Sequence, residues 1–162
     1  MHDLLVALQE MAFATAIREG VSLFPWIEAF HVLAIVLVVG TISIIDMRLL
    51  GLPAHRRGVR RLMKEVLPFT WGAFAAAVLT GFLMFASAAV KYAALWEFQS
   101  KMLLLLAAGV NMAFFHALTF RDIHLWDELV ETPRAAKIAG ISSLCLWIGV
   151  VILGRVIGFV LQ

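Results

Sequence analysis

Seven polar or ionisable residues interrupt the long apolar stretches of this 162-residue chain, and their types define the chemistry that is open to it. Histidine binds metals and haem iron, lysine and arginine bind anionic groups, and carboxylates accept hydrogen bonds or carry a proton. Such side chains are costly inside a membrane and are candidates for function by default. They are Glu28, His31, Asp46, Lys101, Asn111, His116 and Arg155.

His31 is the first candidate ligand, because neutral imidazole is the commonest metal-binding side chain. Its alternative role is structural, in a hydrogen bond to a neighbouring carbonyl group or to Glu28 one helical turn earlier. Glu28 and His31 also have the spacing found in di-iron bundles, but such a site needs the same motif on a second helix. The chain contains one copy of the motif, which argues against a di-iron centre.

Helical geometry groups the other candidates by depth. At a rise of about 1.5 Å per residue, Glu28, His31, Lys101 and Arg155 lie in the outer third of the bilayer, and His116 lies about 14 Å deeper than His31. One haem shared by the two histidines is therefore not expected. Lys101 and Arg155 are candidates for the second axial position or for pairing with haem propionates, against the alternative that each reaches the membrane surface. His116 is a candidate ligand of a separate site or a contact to lipid headgroups.

The composition excludes a soluble enzyme domain. Hydrophobic residues make up 63% of the chain and charged residues 15%, with a mean hydropathy of +0.97, whereas soluble domains are about 45–50% apolar and about 25% charged. A net charge of +2 gives no reason to expect a nucleic acid partner. The lone Cys145 cannot form an internal disulfide framework.

The apolar pattern predicts one transmembrane domain over residues 1–162, an all-α, up-and-down four-helix bundle. The spans are expected at about 23–48, 66–90, 100–120 and 137–161, after an interfacial helix at 3–19. Most basic residues fall in the first and third loops, which favours an arrangement with both termini outside. These loop residues are Arg48, Arg56, Arg57, Arg60, Arg61, Lys64, Arg121, Arg134 and Lys137.

Several short motifs carry a family resemblance. The segments WIEAFHVL at 26–33 and WEFQSKMLL at 96–104, together with Gly40 and the pair Phe115-His116, resemble the HemJ-type bacterial membrane proteins and the related CopD-like group. The motifs DMRLLG at 46–51 and TGFLMF at 80–85 resemble an uncharacterised family of bacterial four-helix inner-membrane proteins. The resemblance extends from residue 26 to residue 116 and implies a bundle in the bacterial inner membrane.

The resemblance also implies candidate activities. HemJ-type proteins bind haem b and oxidise protoporphyrinogen, using a histidine of the first span and a lysine at the start of a later one. His31 and Lys101 match those two positions. CopD-like proteins handle copper.

The leading hypothesis is a haem b-binding, cytochrome b-like protein of electron transfer or a membrane oxidoreductase. It would pass electrons between a quinone or porphyrin in the lipid and a redox partner protein. A copper-handling protein is the alternative, with ligands drawn from His31, Met84, Met102, His116 and Cys145. A third hypothesis is a cofactor-free assembly subunit whose polar residues serve only packing among helices or with a second copy of the chain.

Overall fold

The computed structural model describes residues 2–51, 58–127 and 131–161. All regular structure in these ranges is helical, without a β-strand, which confirms the predicted all-α bundle. The helices are α1 (His2–Gln9), α2 (Ala12–Glu19), α3 (Leu23–Leu49), α4 (Val59–Ser87), α5 (Ala89–Ala94), α6 (Trp96–Phe114) and α7 (Arg134–Leu161). A π-helical turn (Phe115–Thr119) and a 3₁₀ helix (Phe120–Leu125) continue α6. Arg56 and Arg57 of the predicted basic loop lie outside the described residues.

Four helical stretches in the described part of the chain are long and apolar enough to cross a membrane. They are α3, α4, α6 with its continuation to Leu125, and α7. The 27 residues of α3 extend about 40 Å at the α-helical rise, which exceeds the roughly 30 Å of a bilayer's hydrocarbon core. Each helix contains most of one predicted span.

Large apolar side chains cover the outer surface of these helices. Examples are Leu37 of α3, Leu106 of α6 and Ile152 of α7, each more than half exposed. Soluble monomers rarely expose apolar surface of this extent, whereas a bilayer solvates it. The exposed faces are therefore surfaces for membrane lipid.

The N-terminal segment forms two short helices and not one continuous helix over 3–19. In α2, Ala14 and Ile17 are buried. The Arg18 guanidinium donates a hydrogen bond to the main-chain carbonyl of Ser87 at the end of α4, at 3.3 Å. The segment is thus attached to one end of the bundle by side-chain packing and by a hydrogen bond.

The fourth helix begins earlier than the predicted span at 66. Val59 and Met63 are buried while Arg60 is exposed, so the basic segment forms an amphipathic first turn. The Asp127 carboxylate accepts a hydrogen bond from the Arg60 main-chain N–H at 3.0 Å. A carboxylate at this position satisfies an otherwise free N–H group and complements the helix dipole. The side chain that caps the N-terminus of α4 therefore comes from Asp127, which is distant in the sequence.

The long helices follow an open ring in the order α4, α3, α7, α6. Helix α3 packs against α4 and α7, and α6 packs against α7. Hydrogen bonds from His31 to Thr80 and from Thr70 to Thr41 show that α3 and α4 are antiparallel. Sequential helices were expected to be neighbours, but in the described residues the main chains of α4 and α6 barely approach each other. The short α5 lies between them in the chain and packs against α1. A seam therefore separates the main chains of α4 and α6, and at one end the stacked rings of Phe85 and Phe98 bridge it.

Candidate functional site

His31 lies on α3 and places its half-buried ring against α4. Its Nδ1 atom is 3.0 Å from the Thr80 hydroxyl oxygen. A Cβ atom added to Gly81 would lie 2.9 Å from the ring carbon Cε1, closer than real contacts allow. Gly81 is therefore the residue of α4 whose missing side chain makes room for the imidazole.

The hydrogen bonds of Thr80 determine which nitrogen of His31 carries the proton. The Thr80 hydroxyl is 2.7 Å from the Ala76 carbonyl oxygen, which can only accept. Because a hydroxyl has one hydrogen, that bond uses it, and Nδ1–H of His31 donates to the Thr80 oxygen. Nε2 is then the nitrogen with a free lone pair. A histidine oriented through its other nitrogen in this way is typical of metal ligands.

Lys101 is brought to the same level from α6. Its ammonium nitrogen lies 3.3 Å from the position that a Cβ atom on Gly154 of α7 would occupy. The side chain is half-buried, and its charge interacts with the His31 ring. The lysine thus lies against a neighbouring helix with its charge close to the histidine. We refer to His31, Thr80, Gly81, Lys101 and Gly154 as the His31 level.

Glu28 lies one turn before His31, and its charge acts on Tyr92 of α5. Burial, and to a smaller degree the negative charge of Glu28, raise the pKa of Tyr92 in α5 above its ordinary value. Glu28 is half-buried. The carboxylate therefore lies within electrostatic range of Tyr92.

Arg155 is the predicted site residue that the structure leaves on the surface. Its side chain is exposed, and the guanidinium carbon lies 4.4 Å above the ring centre of Phe159 on the same helix. This cation–π contact holds the charge along α7. The expected convergence of three polar side chains is thus observed for His31 and Lys101 but not for Arg155.

Glu97 is a buried polar residue that sequence reasoning missed. It is 7% exposed, and its Oε2 atom has no hydrogen-bond partner among the described residues. It precedes Lys101 by four residues, so both side chains lie on one face of α6. That spacing is the signal that could have found it. Thr80 and Gly81 were noticed only as part of the motif TGFLMF.

His116 lies at the other end of the bundle, in the π-helical turn. Its Nδ1–H donates to the Met112 main-chain carbonyl at 2.9 Å, since a carbonyl oxygen can only accept. The ring borders a cavity that Asp46, Asn111 and Ser143 also line. We refer to these four residues as the Asp46 level. Because Asp46 is fifteen residues from His31, the two levels are about 22 Å apart along α3.

The two levels offer different chemistry. The His31 level supplies an oriented imidazole and a cation, and the Asp46 level supplies a carboxyl group, an amide, a hydroxyl and a second imidazole around an open volume. In the described ranges, no group of three or more histidine, cysteine, aspartate and glutamate side chains could hold a metal ion. Comparison with protein-family models, with curated proteins and with solved structures finds no match to this chain.

Proposed function

We propose that this chain is a haem b-binding protein of electron transfer in the bacterial inner membrane. His31 is the axial ligand of the iron in this proposal, and Lys101 is either the second axial ligand or the partner of a propionate group. The observation that carries the proposal is the 3.0 Å contact between His31 Nδ1 and the Thr80 hydroxyl, from which we assign the proton to Nδ1 and the free lone pair to Nε2.

The donor set fits the needs of haem. Haem iron takes one or two ligands from the protein, most often histidine, and the His31 level provides an imidazole and an amine. Both side chains are half-buried. A lysine near a haem can ligate the iron as the neutral amine or pair with a propionate as the cation.

Each residue of the His31 level then has a separate task. Thr80 holds the imidazole in one tautomer and orientation, as outer hydrogen bonds commonly do for metal ligands. Gly81 allows the ring to lie against α4. When bound, the haem supplies the one-electron chemistry, and the protein tunes it through ligand identity, burial and nearby charge.

The absorption spectrum of detergent-purified protein from haem-replete cells tests the proposal. We expect a Soret band in the wild type, haem b in the extract, and loss of the band in His31→Ala. His116→Ala is the matched control, because it removes a half-buried histidine from the other level and is expected to keep the band. Wild-type protein without porphyrin, or a His31→Ala variant with the unchanged spectrum, would overturn the proposal. Stoichiometric copper without porphyrin would support the copper alternative instead.

Two substitutions of Lys101 distinguish its roles. Arginine cannot ligate iron because it does not lose its proton, but it does pair with carboxylates. A Lys101→Arg variant that keeps the wild-type spectrum while Lys101→Ala loses haem would make Lys101 a propionate partner. A spectral change in both variants would make it an iron ligand. Lys91→Ala removes an exposed lysine of α5 and is the control.

The proposed orientation places both termini on the periplasmic side. It is supported by the concentration of basic residues at the end of the bundle where α3 leads to α4 and α6 leads to α7. Alkaline phosphatase fused after residue 162 is expected to be active, because this enzyme needs the oxidising periplasm. An inactive phosphatase combined with a fluorescent C-terminal green fluorescent protein fusion would reverse the orientation.

A further inference from the structure

A cavity of about 160 Å³ lies at the Asp46 level, between α3, α4, α6 and α7. Its walls are mostly apolar and include the rings of Trp71, Phe74 and Trp147. The polar side chains of Asp46, Asn111 and Ser143 also line it. The haem proposed for the His31 level does not use this volume.

Asp46 is the polar residue of the cavity that lacks a full set of partners. It is 5% exposed, and the Ser143 side chain of α7 lies close to its carboxyl group. The Oδ2 atom of the carboxyl group is buried and has no hydrogen-bond partner among the described residues. Buried polar atoms are nearly always paired in folded proteins, so Asp46 is the residue of the cavity wall whose hydrogen-bonding capacity is left unused.

Asn111 offers a second free polar group. Its amide nitrogen donates one hydrogen bond, to the main-chain carbonyl of Ala139 at 3.0 Å. A side-chain amide has two N–H hydrogens and a carbonyl oxygen, so this bond leaves further hydrogen-bonding capacity at the cavity wall. A ligand here can therefore be bound through Asp46 and Asn111 on two different helices.

The cavity lies beside the seam between α4 and α6. Trp71 of α4 and Met112 of α6 line it from opposite sides of the seam and are 52% and 40% exposed. Both belong to helices that face lipid. A ligand that enters the cavity through this seam would therefore come from the bilayer.

The volume of the cavity limits the size of the ligand that it can hold. An engineered cavity of about 150 Å³ in another protein binds one benzene molecule, whereas pockets for drug-sized ligands measure about 300–1,000 Å³. The observed volume therefore suits a single six-membered ring and is too small for a porphyrin. A tail attached to that ring would leave through the seam into the lipid.

We infer that the Asp46 level binds the ring of a membrane quinone, with its isoprenoid tail in the seam between α4 and α6. A quinone carbonyl oxygen can accept a hydrogen bond from the Asn111 amide, or from the Asp46 carboxyl group when that group carries a proton. The choice of a quinone among one-ring lipids rests on the proposed electron-transfer function. The binding step itself requires no electron transfer and no haem.

Quenching of tryptophan fluorescence by decylubiquinone, measured on the purified wild-type protein, tests this site. Two tryptophans line the cavity, so ring binding is expected to give saturable quenching. Asp46→Leu is expected to weaken binding about tenfold or more, because a buried polar contact is lost. Asp46→Asn keeps a hydrogen-bond donor and is expected to stay within a few-fold of the wild type.

A blocking variant tests the same site without removing a polar group. Gly109 lines the cavity, and a Cβ atom added there meets nothing within 4 Å. The first atom of a new side chain therefore meets no clash, and Gly109→Phe is expected to abolish saturable quenching. Gly40→Phe is its control, because Gly40 also has open space around it but is not a residue of the cavity wall.

The outcomes separate this inference from the proposed function. His31→Ala is expected to lose the Soret band and keep quinone binding, and Asp46→Leu is expected to do the reverse. Equal quenching in the wild type, Asp46→Leu and Gly109→Phe would show simple partition into detergent and overturn the site. Absence of saturable quenching in the wild type would also overturn it. Decylbenzene binding with the same affinity and the same dependence on Asp46 would overturn the assignment of a quinone.

Discussion

The polar side chains of the two levels have different surroundings: those of the His31 level are closely packed, and those of the Asp46 level border a cavity. At the His31 level, glycines of neighbouring helices make room for the imidazole and the lysine, and a threonine hydroxyl orients the ring. At the Asp46 level, the carboxyl group borders an open volume and one of its oxygens is unpaired within the described chain. The first level is organised to hold side chains in position, and the second is organised to leave space. Similar apolar helices thus support two kinds of site.

The largest expected effect comes from filling the space beside the His31 ring. In Gly81→Ala, the added Cβ atom collides with Cε1 of His31, so the ring must leave its position. We expect the Soret absorbance to fall to the level of His31→Ala. Gly72→Ala on the same helix meets nothing within 4 Å and should retain the wild-type spectrum. Equal haem content in both variants would show that the position of the ring against α4 is not needed.

Removing the hydrogen bond to His31 is expected to have a smaller effect. Thr80→Val deletes the hydroxyl that orients the ring, and losses of this kind typically weaken metal binding by about 10–100-fold. The measurement is haem affinity, obtained by titrating haem into apoprotein. Thr70→Val is the matched control, because its hydroxyl bonds to Thr41 at another depth. A Thr70→Val variant that loses as much haem as Thr80→Val would refute a specific role for Thr80.

A contact at the Asp46 level tests stability without testing ligands. A Cβ atom on Gly140 of α7 would lie 3.2 Å from the main-chain oxygen of Asp46 and 3.3 Å from Cβ of Leu49. Gly140→Ala is expected to separate α3 from α7 and to destabilise the fold by about 1–3 kcal/mol. Thermal unfolding in detergent measures the change. Gly158→Ala is the control, because it gains the same helix propensity and its added Cβ atom meets nothing within 4 Å. Equal melting temperatures for the two variants would contradict the close approach of α3 and α7 at Gly140.

The smallest effect concerns the pKa of Tyr92, the only tyrosine in the chain. Burial and Glu28 raise this pKa, so the neutral phenol is favoured in the folded state. Its contribution to stability is therefore present below about pH 10, the ordinary tyrosine value, and is lost as the pH rises through the higher folded value. Tyrosinate absorbance follows the titration. Glu28→Gln is expected to lower the pKa only in part, because burial is the larger cause.

Two outcomes would contradict the position of Glu28. Titration of Tyr92 at its ordinary pKa would show that the phenol is exposed. An unchanged pKa in Glu28→Gln would show that the carboxylate lies too far away to influence it. Glu19→Gln in α2 is a suitable control, because it removes one negative charge from the same end of the bundle.

The candidate residues were predictable to different degrees. His31 and Lys101 were expected at one depth because helical rise relates residue number to height, and both lie at one level. The position of Arg155 was not predictable from its height in the bundle. A long side chain at that height can contact a ring on its own helix or reach the bundle interior, with little difference in free energy. Glu97 was missed because it lies in an aromatic segment that is typical of a membrane interface.

The sequence by itself determined that this protein is all-α and has four apolar spans, because insertion into a bilayer depends on the composition of about twenty consecutive residues. It also determined which polar side chains must lie at membrane depth. Only the tertiary structure decided that His31 meets Thr80 and Gly81, that Lys101 meets Gly154, and that α4 and α6 leave a seam beside Asp46. Those contacts depend on the shapes of two helices at once, and small residues allow close approach wherever the partner's side chain fits.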